Sequence, residues 1–561
     1  MGNRFLFART VLSALIGGTC LLGLSLTGSG TPTINARIGF DGHVVAQRFA
    51  PCTVVLSGID PSLEGSLVVT QRIGNAWTGT SEVKRRLLSG LLGNGEYRCT
   101  LPIYEPLNDL HFELLDRDDR LLASHDVSLR ERRRIDPFPV VCSSSAFLPE
   151  PEAVRIVSSQ LPMEWWAYEG VQRLWLASAP SRDAWQAIAQ WVLAGGSLLL
   201  LTGDEFYLLD SPLTRELIPL ASPYLTATED GGWLLTGTMK ADATPLVTRD
   251  ALPVAIARSY GAGTVTLVTV SSQDLLPTEI AALLTQVRSS SLLSLESFSA
   301  DLLQGTPVNR PSHLAVLVLI GGGLLGLTLA IRWGERHHRP AIGWILPVSV
   351  ALSVLSGFMT NRENIVSDIY EIRTGLSIQT NFGSSIHSFC LLSLRPAEQR
   401  IESPGEGFLV QRIPDPRDGG NLDAVAERST TRIVLQPREQ RVLAAYGTSC
   451  LPVMVEFHEA TVQIEAPVEA VGTCATYATW SGRLFELPAL ETGTYTISPN
   501  RGIEIETYEG EYGSLLRALA EQVPFQKGHW IVAIDEEEEL ASTGQARKKV
   551  RHVVVRLFWE G

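Results

Sequence analysis

The sequence predicts a multidomain membrane protein: a β-sandwich, an α/β domain with a mainly parallel sheet, a transmembrane helical hairpin and a C-terminal β-rich domain. Three observations lead there. Two long apolar runs, residues 314–331 and 341–359, flank the short basic gap IRWGERHHRP. Alternating and β-branched runs separated by turn residues fill the first part of the chain. Between them, buried strands alternate with helical periodicity, the pattern of an α/β sheet.

The first element, residues 1–30, has basic MGNRFLFAR, then an uncharged apolar stretch, then TGSGTP. This is the pattern of a signal peptide or an uncleaved signal anchor. Cys20 lies inside the apolar stretch, whereas a lipidated cysteine should close it. Residues 37–130 read as the sandwich, with strands in CTVVLSG, GSLVVTQRI, GEYRCTLPIY, HFELLD and RLLASHDVSL. Cys52 and Cys99 fall in separate strands. They form either a disulfide, if the domain faces an oxidising space, or two buried free thiols.

Residues 135–290 change period. FPVVCSSS reads as a buried strand, EAVRIVSSQL as a helix and QRLWLAS as a second strand. In APSRDAWQAIAQWVLAGG, Trp185, Ile188, Ala189, Val192 and Leu193 share one helical face. Ser181 is placed to cap that helix and Gly195 to stop it. SLLLLTG is a strand buried on both faces, and TEIAALLTQVRS closes the domain as a helix. Between Tyr260 and Gly263, Gly-Ala-Gly is too short for a dinucleotide fingerprint and enters a strand, so it reads as a tight hairpin turn.

The hairpin is assigned to residues 313–360. Each run approaches the roughly 20 residues a spanning helix needs. Arg332, Arg336 and Arg339 mark the cytoplasmic side, and Arg4 and Arg9 say the same of the N-terminus. The expected location is therefore the inner membrane, multi-pass, with the large domains extracytoplasmic. His337 and His338 read as polar linker. Residues 365–561 read as a β-rich domain with a short helix near 513–523. DEEEELASTGQ is expected as an acidic turn between two paired strands, and its DEEEE has no metal-binding pattern. It lacks calcium-loop spacing.

Composition limits the partners. The formal charge of −14 argues against nucleic acid. The expected partners are the lipid bilayer and other envelope or membrane proteins. No metal and no cofactor is called for.

The ordered set Trp191, Val192, Gly195, Gly196, then Ser197 to Gly203, then Tyr260, Gly261, Gly263 resembles class I glutamine amidotransferase-like domains. With the preceding sandwich, the hairpin, Trp344 and Pro347, the chain resembles a group of uncharacterised bacterial membrane proteins carrying a degenerate domain of that kind. An active member uses a cysteine on a sharp turn, a histidine base and an acidic orienter. Here G-x-C-x-G is missing, residues 135–288 contain no histidine, and Cys142 ends the first strand rather than an elbow. Asp204 and Glu205 follow a strand where open α/β sheets place a ligand crevice, and Asp274 follows another. Together with Cys142 they form the candidate crevice.

The leading expectation is a non-catalytic, membrane-anchored envelope scaffold or interaction module, with no catalytic residue assigned. One alternative is an envelope hydrolase using Asp204 and Asp274, or a histidine lent by His111, His125 or His387. The other is an accessory subunit of a membrane transporter.

Overall fold

A computed structural model describes residues 31–292 and 369–560 apart from short internal stretches, together with Arg332 and Arg336. The first unit is a pair of antiparallel sheets. Thr33–Ile38, Arg48–Ser57 and Gly95–Ile103 make one, with Arg48–Ser57 in the middle; Gly79–Leu91, Glu64–Asn75, Leu110–Asp116 and Leu121–Val127 make the other in that order. Alternation drives their association. Ile34, Ala36 and Ile38 on one strand and Phe112 and Leu114 on another are buried in the same core, while their neighbours face outward.

The second unit is a seven-stranded sheet. Its order is Val154–Ile156, Phe138–Cys142, Val171–Leu176, Ser197–Leu201, Gly263–Val268, Leu252–Tyr260, Thr244–Arg249. The first five run parallel and the last two join antiparallel, so the sheet is mixed rather than mainly of one sense throughout. The helix Arg182–Leu193 covers one face and Pro277–Gln286 the other. Ser197–Leu201 shows why its sequence is uniformly apolar: Leu198 and Leu200 enter the core on the first side, Leu199 and Leu201 the core on the second. Ser181 Oγ accepts from Ala184 N at 3.3 Å, capping the first helix.

The third unit is a nine-stranded mixed sheet, with a three-stranded sheet of Met454–His458, Thr461–Glu465 and Gly493–Thr496 packed on one face. Ile369–Gln379, the first strand after the undescribed segment, pairs in parallel with Ala546–Glu560, the last strand of the chain. Along His529–Thr543, Trp530, Val532 and Ile534 enter one core while Ile531 and Ala533 enter the other. The first of these cores is shared. It runs from Phe40 and Phe49 of the sandwich, through the helix Arg182–Leu193, to the helix Gly513–Gln522 and to Val553, Val555, Leu557 and Trp559. Three aromatic joints cross it: Phe49 on Tyr446 at 4.8 Å, Trp165 on Tyr446 at 5.9 Å, and Tyr260 on Trp559 at 5.1 Å between centroids.

Several expectations are corrected. Among the described residues no helix is long and apolar enough to cross a membrane. The architecture is instead a mostly β, multidomain assembly of mixed sheets. The predicted multi-pass inner-membrane location and transmembrane hairpin are therefore not what is found. The apolar residues that are described fill sheet interiors and the shared core instead. The runs 314–331 and 341–359, with Arg339, lie outside the described residues, as does the predicted signal segment 1–30. Arg332 and Arg336 are both helical and exposed.

EAVRIVSSQL is not a helix. Val154–Ile156 adds an edge strand, with Val154 and Ile156 buried and Arg155 outward, and a single 3-10 turn follows at Ser158–Gln160. Most of the expected acidic turn is strand. Asp535 to Glu539 lie within His529–Thr543, in register with Val554 to Val550 on the partner strand, and the pairing continues to Thr543 opposite Ala546.

Trp559→Ala is expected to cost about 3–5 kcal/mol, the range for emptying a buried tryptophan site. Because the joint spans two units, hydrogen exchange should rise together in Leu252–Tyr260 and in Ala546–Glu560. A rise confined to the last strand would show that the units are not coupled there.

Candidate functional site

The glycines that carried the family resemblance are explained by backbone packing. The helix Arg182–Leu193 ends in a Schellman-type cap: Gly195 N donates to Val192 O at 2.9 Å and Gly196 N to Trp191 O at 2.9 Å, with Gly195 at φ +119°. The turn between Leu252–Tyr260 and Gly263–Val268 docks on that cap. Ala262 N donates to Leu193 O at 3.0 Å and Thr264 N to Gly196 O at 3.0 Å. Gly261, at φ +60°, opens the two-residue turn in the II′ manner. A Cβ on Gly263 would collide with the carbonyl oxygens of Val192 and Gly196. The two motifs are thus the halves of one interlock.

The candidate nucleophile is sealed. Cys142 is not in a disulfide and is 0% exposed, at the end of Phe138–Cys142 in the shared core. His43 packs its ring against Phe138 at 6.0 Å, four residues away along the same strand, or about 13 Å at the usual rise. His111 is turned to Asp126, with Nδ1 and Oδ1 2.6 Å apart, on the sandwich surface. His125 sits in the same sandwich sheet, in the strand Leu121–Val127. His387 is in Ser384–Ser393, and its side chain lies outside the described residues.

Asp204 and Glu205 also lie outside the described residues. Asp274 is described, in a turn closed by Asp274 N donating to Ser271 O. Its own carbonyl accepts from Arg249 Nη2 at 2.9 Å. Arg249 forks onto Glu279 at 2.8 and 2.6 Å, and Glu279 in turn accepts from Leu276 N at the start of the helix Pro277–Gln286. The Arg249 guanidinium holds the Glu279 carboxyl below its ordinary value. The region predicted as a crevice edge is therefore a clamped helix start. Another carboxylate is held by several donors: Glu150, in the bend before Val154–Ile156, accepts from Arg173 at 2.9 and 3.2 Å and from Trp175 Nε1 at 2.9 Å.

One polar cluster carries no signal in the sequence. It lies where the α/β sheet meets the last strand. Arg258, with its side chain only 3% exposed, donates to Asp242 Oδ2 at 2.9 Å and Glu216 O at 2.7 Å, and its guanidinium sits 5.7 Å over the Trp559 ring. The Tyr260 hydroxyl bonds Thr380 Oγ1 at 3.3 Å and donates to Glu216 Oε1 at 3.5 Å. Burial pushes its ionisation far up, so it stays a neutral hydroxyl. Lys240 Nζ donates to Arg215 O and Glu216 O at 2.9 Å, serving the open carbonyls at the end of the helix Pro212–Leu217. Burial, with Arg258 nearby, lowers Lys240 to about 8. A cleft of about 280 Å³ lined by Asp242, Arg258, Thr266 and Arg288 lies alongside. Each of these charges is directed at another group of the protein, so the cluster works as a clasp between units. No local sequence pattern announces it, because Glu216, Lys240, Arg258 and Trp559 are brought together only by sheet packing.

Among the described residues no group of three or more His, Cys, Asp or Glu side chains is placed to hold a metal ion. The cysteines considered for a disulfide, Cys52 and Cys99, are free thiols directly opposite each other in register. No family model, curated protein or solved structure matches the chain.

Two outcomes follow from this geometry. Gly263→Ala should destabilise the protein by on the order of 2–4 kcal/mol through strain at the interlock, read as a lowered denaturant midpoint at unchanged slope. Lys240 releases its proton near pH 8 when folded but near the ordinary 10.5 when unfolded. The unfolded chain therefore binds more protons between those values, and stability should rise across that window as the buried charge is relieved. Comparing thermal midpoints of wild type and Lys240→Met at pH 7.5 and 10 measures it; equal pH trends in both would refute the assignment.

Proposed function

We propose that this chain is a non-catalytic scaffold or interaction module in which an amidotransferase-like α/β unit serves as frame rather than as enzyme. The observation that carries the reading is the burial of Cys142 in the shared core, where a substrate cannot reach the thiol. The interlocked glycines support it, since Gly195, Gly196, Gly261 and Gly263, part of the set that resembles the amidotransferase-like group, are engaged in holding a helix end against a turn. The continuous core between units supports it too. A rigid body with partnered internal charges suits holding a surface in one shape better than opening and closing over a substrate.

That surface includes a two-stranded ribbon, Tyr224–Ala227 paired with Trp233–Thr236. All four residues of the first strand are exposed, Tyr224 at 58%, and so is Trp233 at the start of the second, at 55%. Exposed Tyr and Trp are the side chains that anchor protein interfaces. The partner is accordingly another protein.

Affinity purification of the full chain from its own host tests this. One stoichiometric partner is expected with wild type and with Cys142→Ala. Recovery should fall roughly tenfold or more in Tyr224→Ser/Trp233→Ser, as for loss of an interface anchor. Turnover of an amide substrate that disappears in Cys142→Ala would establish the hydrolase reading instead.

A further inference from the structure

The sandwich holds a pair of thiols that the scaffold reading does not use. Cys52 and Cys99 are register partners on the neighbouring antiparallel strands Arg48–Ser57 and Gly95–Ile103. Opposed residues in such a ladder have Cα atoms about 4.5–5.5 Å apart, inside the roughly 4.4–6.8 Å span of a disulfide. The two side chains interact directly, each within electrostatic reach of the other. They differ in access. Cys52 is 1% exposed in the sandwich core, whereas Cys99 is only partly buried.

Both line a cleft of about 860 Å³ between the sandwich and residues 156–164 of the α/β unit. The cleft is closed on one side by Arg98 Nη1 donating to Ser159 O at 2.6 Å and by Thr100 Oγ1 donating to the Glu164 carboxylate. Its walls carry guanidinium groups, Arg37 and Arg98, and carboxylates, Asp41 and Glu96. Such a lining suits a zwitterionic ligand, and the volume lies in the range of about 300–1,000 Å³ typical of small-molecule sites. The buried Arg85 guanidinium lies within electrostatic reach of both Cys99 and Glu164.

We propose that Cys52 and Cys99 form a thiol–disulfide exchange site that accepts small peptidic disulfides through this cleft, Cys99 attacking and Cys52 resolving. In the first step the Cys99 sulfur, its proton lost to solvent, attacks one sulfur of the incoming disulfide. The S–S bond breaks and one thiol leaves. In the second, Cys52 gives up its proton and attacks the Cys99 sulfur of the mixed disulfide, expelling the second thiol. Two electrons pass from the protein pair to the small disulfide, and Arg48–Ser57 becomes stapled to Gly95–Ile103. The hydrogen bond with Cys99, and then burial, hold the Cys52 thiol well above the usual range, which keeps it protonated until the mixed disulfide is in place.

The test uses the folded, reduced full chain in graded mixtures of oxidised and reduced glutathione, quenched by alkylation and mapped by peptide mass. Wild type should lose two alkylatable thiols together and yield a Cys52–Cys99 cross-linked peptide two hydrogens lighter, reversed by dithiothreitol. Cys52→Ala should stop with one glutathione on Cys99. Cys99→Ser should leave Cys52 unmodified. If Cys52→Ala does not fold, the wild-type time course decides: a transient adduct on Cys99 must precede the cross-link. A pair that stays alkylatable at every ratio, a folded Cys52→Ala without adduct, or a first adduct on Cys52 would each overturn the proposal.

Discussion

The contact between the last strand of the chain and the α/β sheet is the constraint on which the rest of the architecture depends. Trp559 meets Tyr260 edge-on and carries the Arg258 guanidinium over its ring, while Val553, Val555 and Leu557 of the same strand enter the core that also receives Leu198 and Trp191. An aromatic side chain of this size buries some 150–250 Å², worth roughly 4–6 kcal/mol by area as an upper bound. Losing it would expose two units at once. The same strand pairs with Ile369–Gln379 and with His529–Thr543, so the joint that binds the units also closes the third sheet on itself.

A joint of this kind brings charged groups inside, and the protein answers these charges with partners, although the buried Trp559 Nε1 itself has no hydrogen-bond acceptor among the described residues. Arg258 has Asp242 and a helix carbonyl, Lys240 has two helix carbonyls, and Arg249 and Glu279 fork onto one another. Buried ion pairs add little net stability, because desolvation offsets attraction, but removing one member leaves an uncompensated charge. Their effect is to define one docking geometry. An arrangement that leaves few free polar groups in its joints is poorly suited to acid–base chemistry there and well suited to holding a surface steady.

Against that frame the sandwich thiols stand apart. They lie in a unit joined to the core through Phe40 and Phe49, and beside a cleft that opens between units. A covalent bond between adjacent strands would stiffen that wall of the cleft without disturbing the Trp559 joint. The exposed ribbon that carries Tyr224 and Trp233 belongs to a different unit, so changes at the two places are physically separable.

Local pattern in the sequence determined the helix Arg182–Leu193 with its Ser181 cap and Gly195 stop, the doubly buried Ser197–Leu201, and the tight turn at Gly261. These depend on periodicity and backbone conformation within a few residues. Local pattern misjudged Val154–Ile156, because a three-residue edge strand is selected by its neighbour rather than by its own period. It misjudged Asp535 to Glu539 for the same reason: pairing with the last strand outweighs the weak strand propensity of consecutive carboxylates. The apolar runs 314–331 and 341–359, which suggested a membrane protein, lie outside the described residues. Of the predicted site, Cys142 was located correctly at a strand end, yet its burial follows from a helix and a third sheet far away in the chain. The clasp at Arg258 and the facing of Cys52 by Cys99 were likewise decided only by tertiary structure, because register and sheet packing join residues whose separation in sequence carries no signal.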